Sequence, residues 1–458
     1  MNNFERLDNP TSYITAGAQT LPQILRPILE NNDESTLNKV ILETMDKMLI
    51  SFGANLSYKN NKLSQNYLKN FESSMKFVKE KMFENTITYG DSGGFQVASG
   101  GLRKEDIPRF TDYYIEFLSK NCDYVFSLDI PPTNNTYENF DDIYKWNKYT
   151  YDRLAELPIE LRKKILCVYH FRTTKIYDIW NRLFEEGGYF EKFNIWSLGG
   201  LVGFASLAST SGIIPYVIII EKIVKAMKAR GEKDVYIHIL GSTAPNDILL
   251  YMLVKRLLKE TQDINLFMTF DSSKIYKGII RGKYFEVLRG GSSYQINYKS
   301  LEMNKPIHTL GKTPIELLNE EMGIICNRYS MKPVEYGNQM YESEDRAAPI
   351  RKDVQAFIAL QTMMYSKDLY DFIDRTADQL YPLYKADPNR FMIEVSNFLR
   401  DLNKAKMTDS VKGKAISIKN SLDYFTQNLS ESKVHSLIGR IFNKHEIHKV
   451  VDTSIVSW

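Results

Sequence analysis

Cysteine is scarce in this chain, with only three among 458 residues. Cys122, Cys167 and Cys326 lie far apart in the sequence. Such spacing gives no disulfide framework, and it is typical of proteins kept in a reducing compartment. We therefore expect a cytoplasmic protein without disulfide bonds.

Long uncharged apolar runs are also missing. The most apolar stretch, residues 213–224, is short and contains Pro215, Glu221 and Lys222, whereas a membrane-spanning helix needs about 20 apolar residues. The first six residues, MNNFER, are mostly polar and include an acid, so we expect no signal peptide. The sequence predicts no association with a membrane.

A large excess of one charge is absent too, since the formal net charge is +3. This excludes a uniformly basic nucleic-acid coat but leaves room for a local basic stripe. The hydrophobic content of 43% and the charged content of 25% are ordinary for a globular protein. The length exceeds what one core usually fills, so we expect one large domain with an appendage.

Short β-rich runs alternate with longer helical patterns over the first 270 residues. The predicted strands are Ser12–Gly17, Met48–Gly53, Ile87–Gly93, Tyr124–Asp129, Ile165–His170, Ile195–Gly200, Val235–Gly241 and Leu266–Asp271. The predicted helices between them include Lys62–Lys81, Asp106–Lys120, Tyr137–Leu157, Ile218–Arg230 and Pro245–Glu260. Alternation of strand and helix predicts a parallel sheet, and eight units of about 35–40 residues fit a (β/α)8 TIM barrel.

Most of these runs stay apolar until they end in a polar residue or glycine. The residues at those ends are Asp91, Asp129, His170, Gly199, Gly200, Gly241 and Asp271. In a barrel the carboxyl ends of the strands meet on one face, where active sites lie. The pattern therefore predicts a polar site on that face.

The sequence changes character after Asp271. A basic segment follows, in which Lys274, Lys277 and Arg281 have the spacing of one helical face. A run of charge is often only a solvated helix face, but its position beside the predicted site makes contacts with nucleic-acid phosphates a second interpretation.

From about residue 330 the pattern is helical throughout. The predicted helices are Asp353–Ile373, Asn389–Leu402, Lys412–Asn428 and Ser432–Phe442. We therefore divide the chain into a catalytic barrel over residues 1–329 and a helical C-terminal domain over residues 330–458. The pattern does not decide whether this domain grips a substrate or mediates self-association.

The stretch Tyr89–Gln96 combines an acid, a hydroxyl, two glycines, an aromatic ring and an amide directly after a strand. Strands end in this way where the backbone must turn sharply and approach a flat ligand. Asp91 could act as a site carboxylate and Phe95 could stack on a ring. The plainer interpretation is a tight turn whose Asp caps the next helix.

Four stretches resemble, in order, motifs of the tRNA-guanine transglycosylase superfamily. They are Asp91–Gln96 (DSGGFQ), Phe126–Pro132 (FSLDIPP), Ser197–Gly203 (SLGGLVG), and Leu240–Pro245 (LGSTAP) followed by Phe267–Asp271 (FMTFD). The resemblance runs from about residue 89 to about residue 282, is weaker before it and almost absent after it.

This resemblance implies a role for each carboxylate. Asp271 would attack C1′ of a nucleotide and form a covalent glycosyl-enzyme, and Asp91 would carry protons off the incoming base and onto the departing one. Chemistry supports this division, because retaining glycosidases also displace at an anomeric carbon with two carboxylates. Asp129 would accept hydrogen bonds from a guanine-like base. The remaining substrate contacts would come from Ser92, Phe95, Gln96, His170, Gly199, Gly200 and Leu201.

The departures from the family pattern point to DNA. Most members bind zinc through three clustered cysteines and a histidine, whereas Cys326 stands alone after the predicted barrel. The base-binding Gln-Gly is here Tyr169-His170, and the RNA-contacting Pro-Thr-Arg is Ile275-Tyr276-Lys277. His170 could replace the amide or could simply be a packed strand-end histidine.

A zinc-less member with altered polynucleotide contacts resembles the DpdA-type DNA 7-deazaguanine transglycosylases of bacteria and bacteriophages. This implies an enzyme that exchanges guanine in duplex DNA for a free 7-deazaguanine base, most plausibly 7-cyano-7-deazaguanine, without metal or other cofactor. It would act in the cytoplasm, in the host's if the chain is phage-encoded. The alternatives are a zinc-less tRNA-guanine transglycosylase and a non-catalytic subunit that binds tRNA or an active partner.

Overall fold

The computed structural model describes most, but not all, of the chain. The described ranges are 13–16, 46–51, 58–59, 62–63, 86–93, 104–130, 140–170, 174–199, 213–241, 244–272, 285–289, 292–296, 305–331 (except 309), 352–402 and 408–442 (except 428), with scattered positions between 32 and 43.

The protein is an α/β structure in which seven strands form one curved parallel sheet. These strands are β2 (Lys47–Ser51), β5 (Ile87–Asp91), β6 (Tyr124–Phe126), β7 (Ile165–His170), β8 (Ile195–Gly199), β9 (Asp234–Ile239) and β10 (Asn265–Ser272). They lie side by side in the order β2-β5-β6-β7-β8-β9-β10. All six pairings are parallel, which requires a crossover between successive strands.

A further short strand, β1 (Tyr13–Ala16), lies parallel to both end strands of this sheet. Tyr13 is in register with Phe270 of β10, and Thr15 is in register with Met48 of β2. Two small antiparallel pairs lie outside the sheet. They are formed by β3 (Tyr58–Lys59) with β4 (Lys62–Leu63), and by β11 (Phe285–Arg289) with β12 (Ser292–Ile296).

The helices that accompany the sheet follow the strands in alternation. In the described part of the chain they are α1 (Ile107–Asn121), α2 (Phe140–Ala155), α3 (Ile159–Arg162), α4 (Thr174–Gly187), α5 (Tyr189–Lys192), α6 (Tyr216–Ala229) and α7 (Pro245–Gln262), with a 3₁₀ turn at Lys104–Asp106. The predicted strands and most predicted helices are confirmed to within a few residues. The prediction of a helix over Lys62–Lys81 is wrong at its start, because Lys62 and Leu63 belong to β4; residues 64–81 lie outside the described residues.

The C-terminal part of the chain is helical, as predicted. After α8 (Pro314–Tyr329) come α9 (Lys352–Ala386), α10 (Pro388–Leu402), α11 (Asp409–Thr426) and α12 (Glu431–Phe442). Local sequence explains where some of them begin and end. Thr313 and Glu316 form a reciprocal capping box at the start of α8, and Pro314 occupies its first turn. Asp263 and Ser330 end α7 and α8 in the left-handed conformation.

The two faces of the sheet bury different residues. Strand side chains on the inner face of the sheet pack together. We call them the inner cluster, which consists of Leu49, Tyr89, Phe126, Leu166, Val168, Ile195 and Tyr236. The residues between them, such as Trp196 and Phe270, stack on helix residues, here Phe184 of α4 and Tyr251 of α7. Because side chains alternate with a period of two, residues two positions beyond an inner-cluster member also face inward.

The C-terminal helices pack on the helices that cover the sheet. Residues of both regions belong to one hydrophobic core. Arg256 of α7 bonds to Asp374 and Asp378 of α9, and its side chain is 18% exposed. The hydroxyl of Ser421 in α11 accepts a hydrogen bond from the backbone N–H of Ile214, just before α6, at 2.8 Å.

The most apolar stretch noted in the sequence becomes helix α6, nine of whose residues are buried. No helix in the described ranges is both long enough and apolar enough to cross a membrane. All three cysteines are buried, and burial raises the pKa of Cys167 and of Cys326.

We expect Arg256→Ala to lower the free energy of unfolding by about 1–3 kcal/mol, because it leaves the half-buried carboxylate of Asp374 without its cation. Chemical denaturation followed by circular dichroism measures this. The matched control is Lys120→Ala, whose partner Glu116 is as exposed as the lysine itself, and which should cost no more than about 0.5 kcal/mol. Equal losses in the two variants would show that Arg256 does not fasten α7 to α9.

Candidate active site

The sheet brings the predicted polar strand ends to one face. Asp91, His170, Gly199 and Asp271 all lie at or near the carboxyl ends of parallel strands. They stand two or four positions beyond residues that belong to the inner cluster or pack against it, namely Tyr89, Val168, Ile195 and Phe267, so they also face inward. The prediction that these strand ends lie at the same end of a parallel sheet is confirmed.

In the described residues, hydrogen bonds reach only one of the two carboxylate oxygens of Asp271. Its Oδ1 accepts a hydrogen bond from the backbone N–H of Gly241, and the same oxygen lies 3.3 Å from Nε2 of His238. Gly241 has φ +69°, a left-handed conformation that favours glycine and that turns its N–H toward the carboxylate. Within the described residues Oδ2 has no hydrogen-bond partner. The side chain is largely buried, at 11% exposure.

Beneath Asp271 lies a row of buried polar side chains that the sequence analysis missed. Nδ1 of His238 is 2.9 Å from the hydroxyl of Thr269. That hydroxyl is 2.5 Å from the hydroxyl of Tyr236, which is 2.9 Å from the hydroxyl of Tyr89. We call these four side chains, in the order His238, Thr269, Tyr236 and Tyr89, the polar row. All four are buried.

Packing also fixes the ring of His238. It stacks on Tyr89 with ring centroids 6.2 Å apart and meets the edge of Phe126 at 4.9 Å. Burial is the main cause that raises the pKa of Tyr89, followed by the neighbouring Tyr236, so the hydroxyl of Tyr89 keeps its proton. A signal for the row was present in the sequence, because Tyr236 and His238, like Thr269 and Asp271, are two residues apart on predicted strands.

Asp91 closes a tight turn at the end of β5. Its Oδ1 accepts a hydrogen bond from the backbone N–H of Gly93 at 3.2 Å, and Gly93 has φ +90°. This is the short-range hydrogen bond by which aspartate stabilises a turn. The tight turn expected from the sequence is confirmed, whereas the chain that Asp91 would cap begins outside the described residues. The turn leaves the Asp91 side chain half-buried at the inner face.

Asp129 and His170 form a buried pair. Oδ2 of Asp129 is hydrogen-bonded to Nε2 of His170, and the two residues are 8% and 4% exposed. The edge of the His170 ring packs on Trp180 at 5.0 Å. Among the described residues Nδ1 of His170 is buried and has no partner. His170 is therefore a packed strand-end histidine, as one interpretation held. One of its ring nitrogens, Nδ1, still lacks a hydrogen-bond partner among the described residues.

The backbone on both sides of Asp129 is held by side chains rather than by a continued strand. Asn147 of α2 accepts from the N–H of Ile130 at 2.8 Å and donates to its carbonyl at 3.2 Å. Thr150 donates to the carbonyl of Leu128 at 2.8 Å. Ser127 accepts from the N–H of Val168, which a backbone carbonyl would do in a strand. These bonds satisfy buried backbone groups and fix the position of Asp129.

Ser92 joins the turn after β5 to the same segment. Its hydroxyl is fully buried and donates to the carbonyl of Ser127 at 3.1 Å. Ser92 was expected to line the substrate site, but here it fastens the Asp91 turn to the Asp129 segment. Its role in the described geometry is to support the site.

Gly199 is required by His170. A Cβ at position 199 would lie 2.8 Å from Cε1 and 3.0 Å from Nε2 of the histidine ring. The first distance is shorter than real Cβ contacts and the second is very tight, so any side chain larger than hydrogen would force the ring or the strand to move. The glycine therefore allows the Asp129–His170 pair to sit against β8.

The remaining residues predicted to contact the base or the nucleic acid belong to other parts of the chain. Phe95, Gln96, Gly200, Leu201, Lys274, Lys277 and Arg281 lie outside the described residues. The described residues contain no cluster of three or more metal-ligating side chains. A cleft of about 700 Å³ lies at the opposite end of the sheet, where α7 meets α9, and its lining includes the Arg256–Asp374 ion pair.

Neither known protein-family models nor the curated proteins include a match to this chain.

Gly199→Ala should destabilise the protein by about 1–3 kcal/mol, because the added methyl group forces the His170 ring or β8 to move. The matched control is Gly323→Ala in α8, where a Cβ meets nothing within 4 Å; there alanine should stabilise the helix by about 0.5–1 kcal/mol. Thermal unfolding of the two variants compares them. A stable Gly199→Ala protein with an unmoved His170 would contradict this packing.

Proposed function

We propose that this protein is a transglycosylase that exchanges guanine in DNA for a 7-deazaguanine base, most plausibly 7-cyano-7-deazaguanine, through a covalent glycosyl-aspartate. The observation that carries the proposal is the state of Asp271. Within the described residues both hydrogen-bond donors to its carboxylate act on Oδ1, and Oδ2 has no hydrogen-bond partner. A carboxylate oriented in this way is suited to nucleophilic attack.

The reaction needs a nucleophile and a proton carrier, and two carboxylates could supply them. Oδ2 of Asp271 would attack C1′ while the bond from C1′ to N9 of guanine breaks. The electron pair of that bond goes to the departing base, which takes a proton from Asp91. The incoming base then returns a proton to Asp91, and its N9 displaces the Asp271 carboxylate from C1′. The ends of β5 and β10 that carry these residues belong to one face, which supports this assignment.

The Asp129–His170 pair is suited to recognise the base. The Watson–Crick edge of guanine and of its 7-deaza analogues carries an N–H and an amine as donors beside one carbonyl. An anionic carboxylate accepts from those donors. The buried, unpartnered Nδ1 of His170 offers a second polar contact, because a buried polar atom without a partner gains most from a ligand that satisfies it.

The choice of DNA rests on the sequence. The cysteine cluster and the Pro-Thr-Arg segment typical of the RNA enzymes are missing, and the basic residues Lys274, Lys277 and Arg281 follow the nucleophile. We propose that they contact phosphates of duplex DNA. The target guanine must leave the base stack before C1′ is reached, at a cost of a few kcal/mol that phosphate contacts offset. Three cysteines that lie far apart in the sequence fit the cytoplasmic location that such a substrate implies.

We also propose that β1, β2 and β5–β10 with their helices make up a (β/α)8 barrel. The parallel pairing of β1 with both β10 and β2 supports this arrangement. A barrel would place the end of β10 across the same opening as the end of β5, as a two-carboxylate reaction requires.

The test is exchange of labelled guanine and of 7-cyano-7-deazaguanine into duplex DNA and into bulk tRNA. We expect exchange into DNA, which Asp271→Asn should reduce by at least about 1,000-fold and Asp91→Asn by about 100- to 10,000-fold. Mass spectrometry should detect a glycosyl adduct on Asp271 in the wild type.

The control is Asp178→Asn, which alters a surface carboxylate paired with His435 and should leave exchange unchanged. Exchange into tRNA alone would replace the proposal with the zinc-less tRNA enzyme. Lack of exchange into either nucleic acid would favour the non-catalytic subunit.

A further inference from the structure

Among the hydrogen bonds within the polar row, one direction gives every donor of the row an acceptor. Asp271 is an acceptor, so Nε2 of His238 must carry the proton that faces Oδ1, 3.3 Å away. If Nδ1 then accepts, Thr269 donates to it at 2.9 Å. The hydroxyl oxygen of Thr269 accepts in turn from Tyr236, and the oxygen of Tyr236 accepts from Tyr89.

The opposite direction fails at both ends of the row. It would put a bare Nε2 lone pair against the carboxylate of Asp271. It would also require Tyr89 to donate its proton away from Tyr236, and the described residues offer Tyr89 no other hydrogen-bond acceptor. An unpaired donor in a fully buried position is costly. The row therefore selects the Nε2–H tautomer of His238.

We infer that His238 is a positioning residue for the nucleophile, held in its Nε2–H tautomer by Thr269, Tyr236 and Tyr89, and that it turns Oδ2 of Asp271 toward C1′ by donating to Oδ1. This inference rests on the proposed function for the reaction itself. The tautomer and the orientation of Asp271 follow from the geometry alone.

Three features of the site make this role specific. The His238 ring is fully buried and lies between Tyr89 and Phe126, so it cannot rotate away from Asp271. The N–H of Gly241 acts on the same oxygen, so the two donors together fix the plane of the carboxylate. The donors also stabilise the negative charge of the carboxylate when the glycosyl group leaves it in the second step.

The kinetic test compares His238→Leu, which removes the donor, with His238→Gln, which keeps an N–H at a similar reach. We expect His238→Leu to lower kcat for base exchange by about 10- to 100-fold, since a misaligned nucleophile loses much of its rate. The KM for the free base should stay within about twofold, because His238 does not contact the base. His238→Gln should recover most of the loss. The control is His435→Leu, which removes a surface histidine from its pair with Asp178 and should leave kcat unchanged.

The spectroscopic test does not depend on activity. In protein labelled with ¹⁵N-histidine, the chain's six histidines give few side-chain signals, and the signal lost in His238→Gln belongs to His238. We expect a protonated Nε2 and an unprotonated Nδ1. Thr269→Val removes the hydroxyl that donates to Nδ1, and it should shift this tautomer signal and lower kcat without changing KM.

Several outcomes would overturn the inference. They are a protonated Nδ1 in the wild type, a normal kcat in a folded His238→Leu protein, or equal losses in the Leu and Gln variants. If His238→Leu does not fold, Thr269→Val and the wild-type signal decide the question. If the wild type exchanges no base into any nucleic acid, the proposed function fails. The tautomer assigned to His238 is still tested separately by its ¹⁵N signal.

Discussion

A buried carboxylate must be given hydrogen-bond donors, and much of this structure follows from meeting that need at the ends of parallel strands. Asp271 receives two donors on one oxygen, from Gly241 and His238. Nε2 of His238 donates to Asp271 while Nδ1 accepts a hydrogen bond from the hydroxyl of Thr269. That hydroxyl in turn accepts from Tyr236, and Tyr236 accepts from Tyr89. The polar row thus explains why these hydroxyl and imidazole side chains lie buried in the sheet.

Asp129 and His170, the second pair of site residues, are positioned by hydrogen bonds from side chains to the backbone. The N–H of Ser127 still donates to the carbonyl of Leu166 in β7, but beyond it the chain leaves the sheet and side chains bond to the backbone. Side chains of Ser127, Asn147 and Thr150 make these hydrogen bonds. These bonds fix the position of Asp129 although it lies beyond the end of its strand. His170 of the neighbouring β7 adds a hydrogen bond to the Asp129 carboxylate. The rigid helix α2, rather than a flexible loop, controls the geometry of this carboxylate.

The C-terminal helices contribute at a distance. They extend the hydrophobic core over α4, α6 and α7, the helices that cover the outer face of the sheet. The ion pair of Arg256 with Asp374 lies at the end of the sheet opposite Asp271. In the described residues these helices therefore support the scaffold on which the site is built.

The sequence by itself determined the strands, most of the helices, the shared face of Asp91, His170, Gly199 and Asp271, and the turn at Asp91. These features follow from local rules, namely the alternation of side chains in a strand, helix capping and the conformational freedom of glycine. Only the tertiary structure decided that His238 contacts Asp271, that Ser92 supports the site, and that Gly199 makes room for His170. Each of these contacts joins residues about 30 or more positions apart, on different strands or on the turns that follow them. Strand register and the fit of side chains across the sheet set such contacts, and neither can be read from a single chain segment.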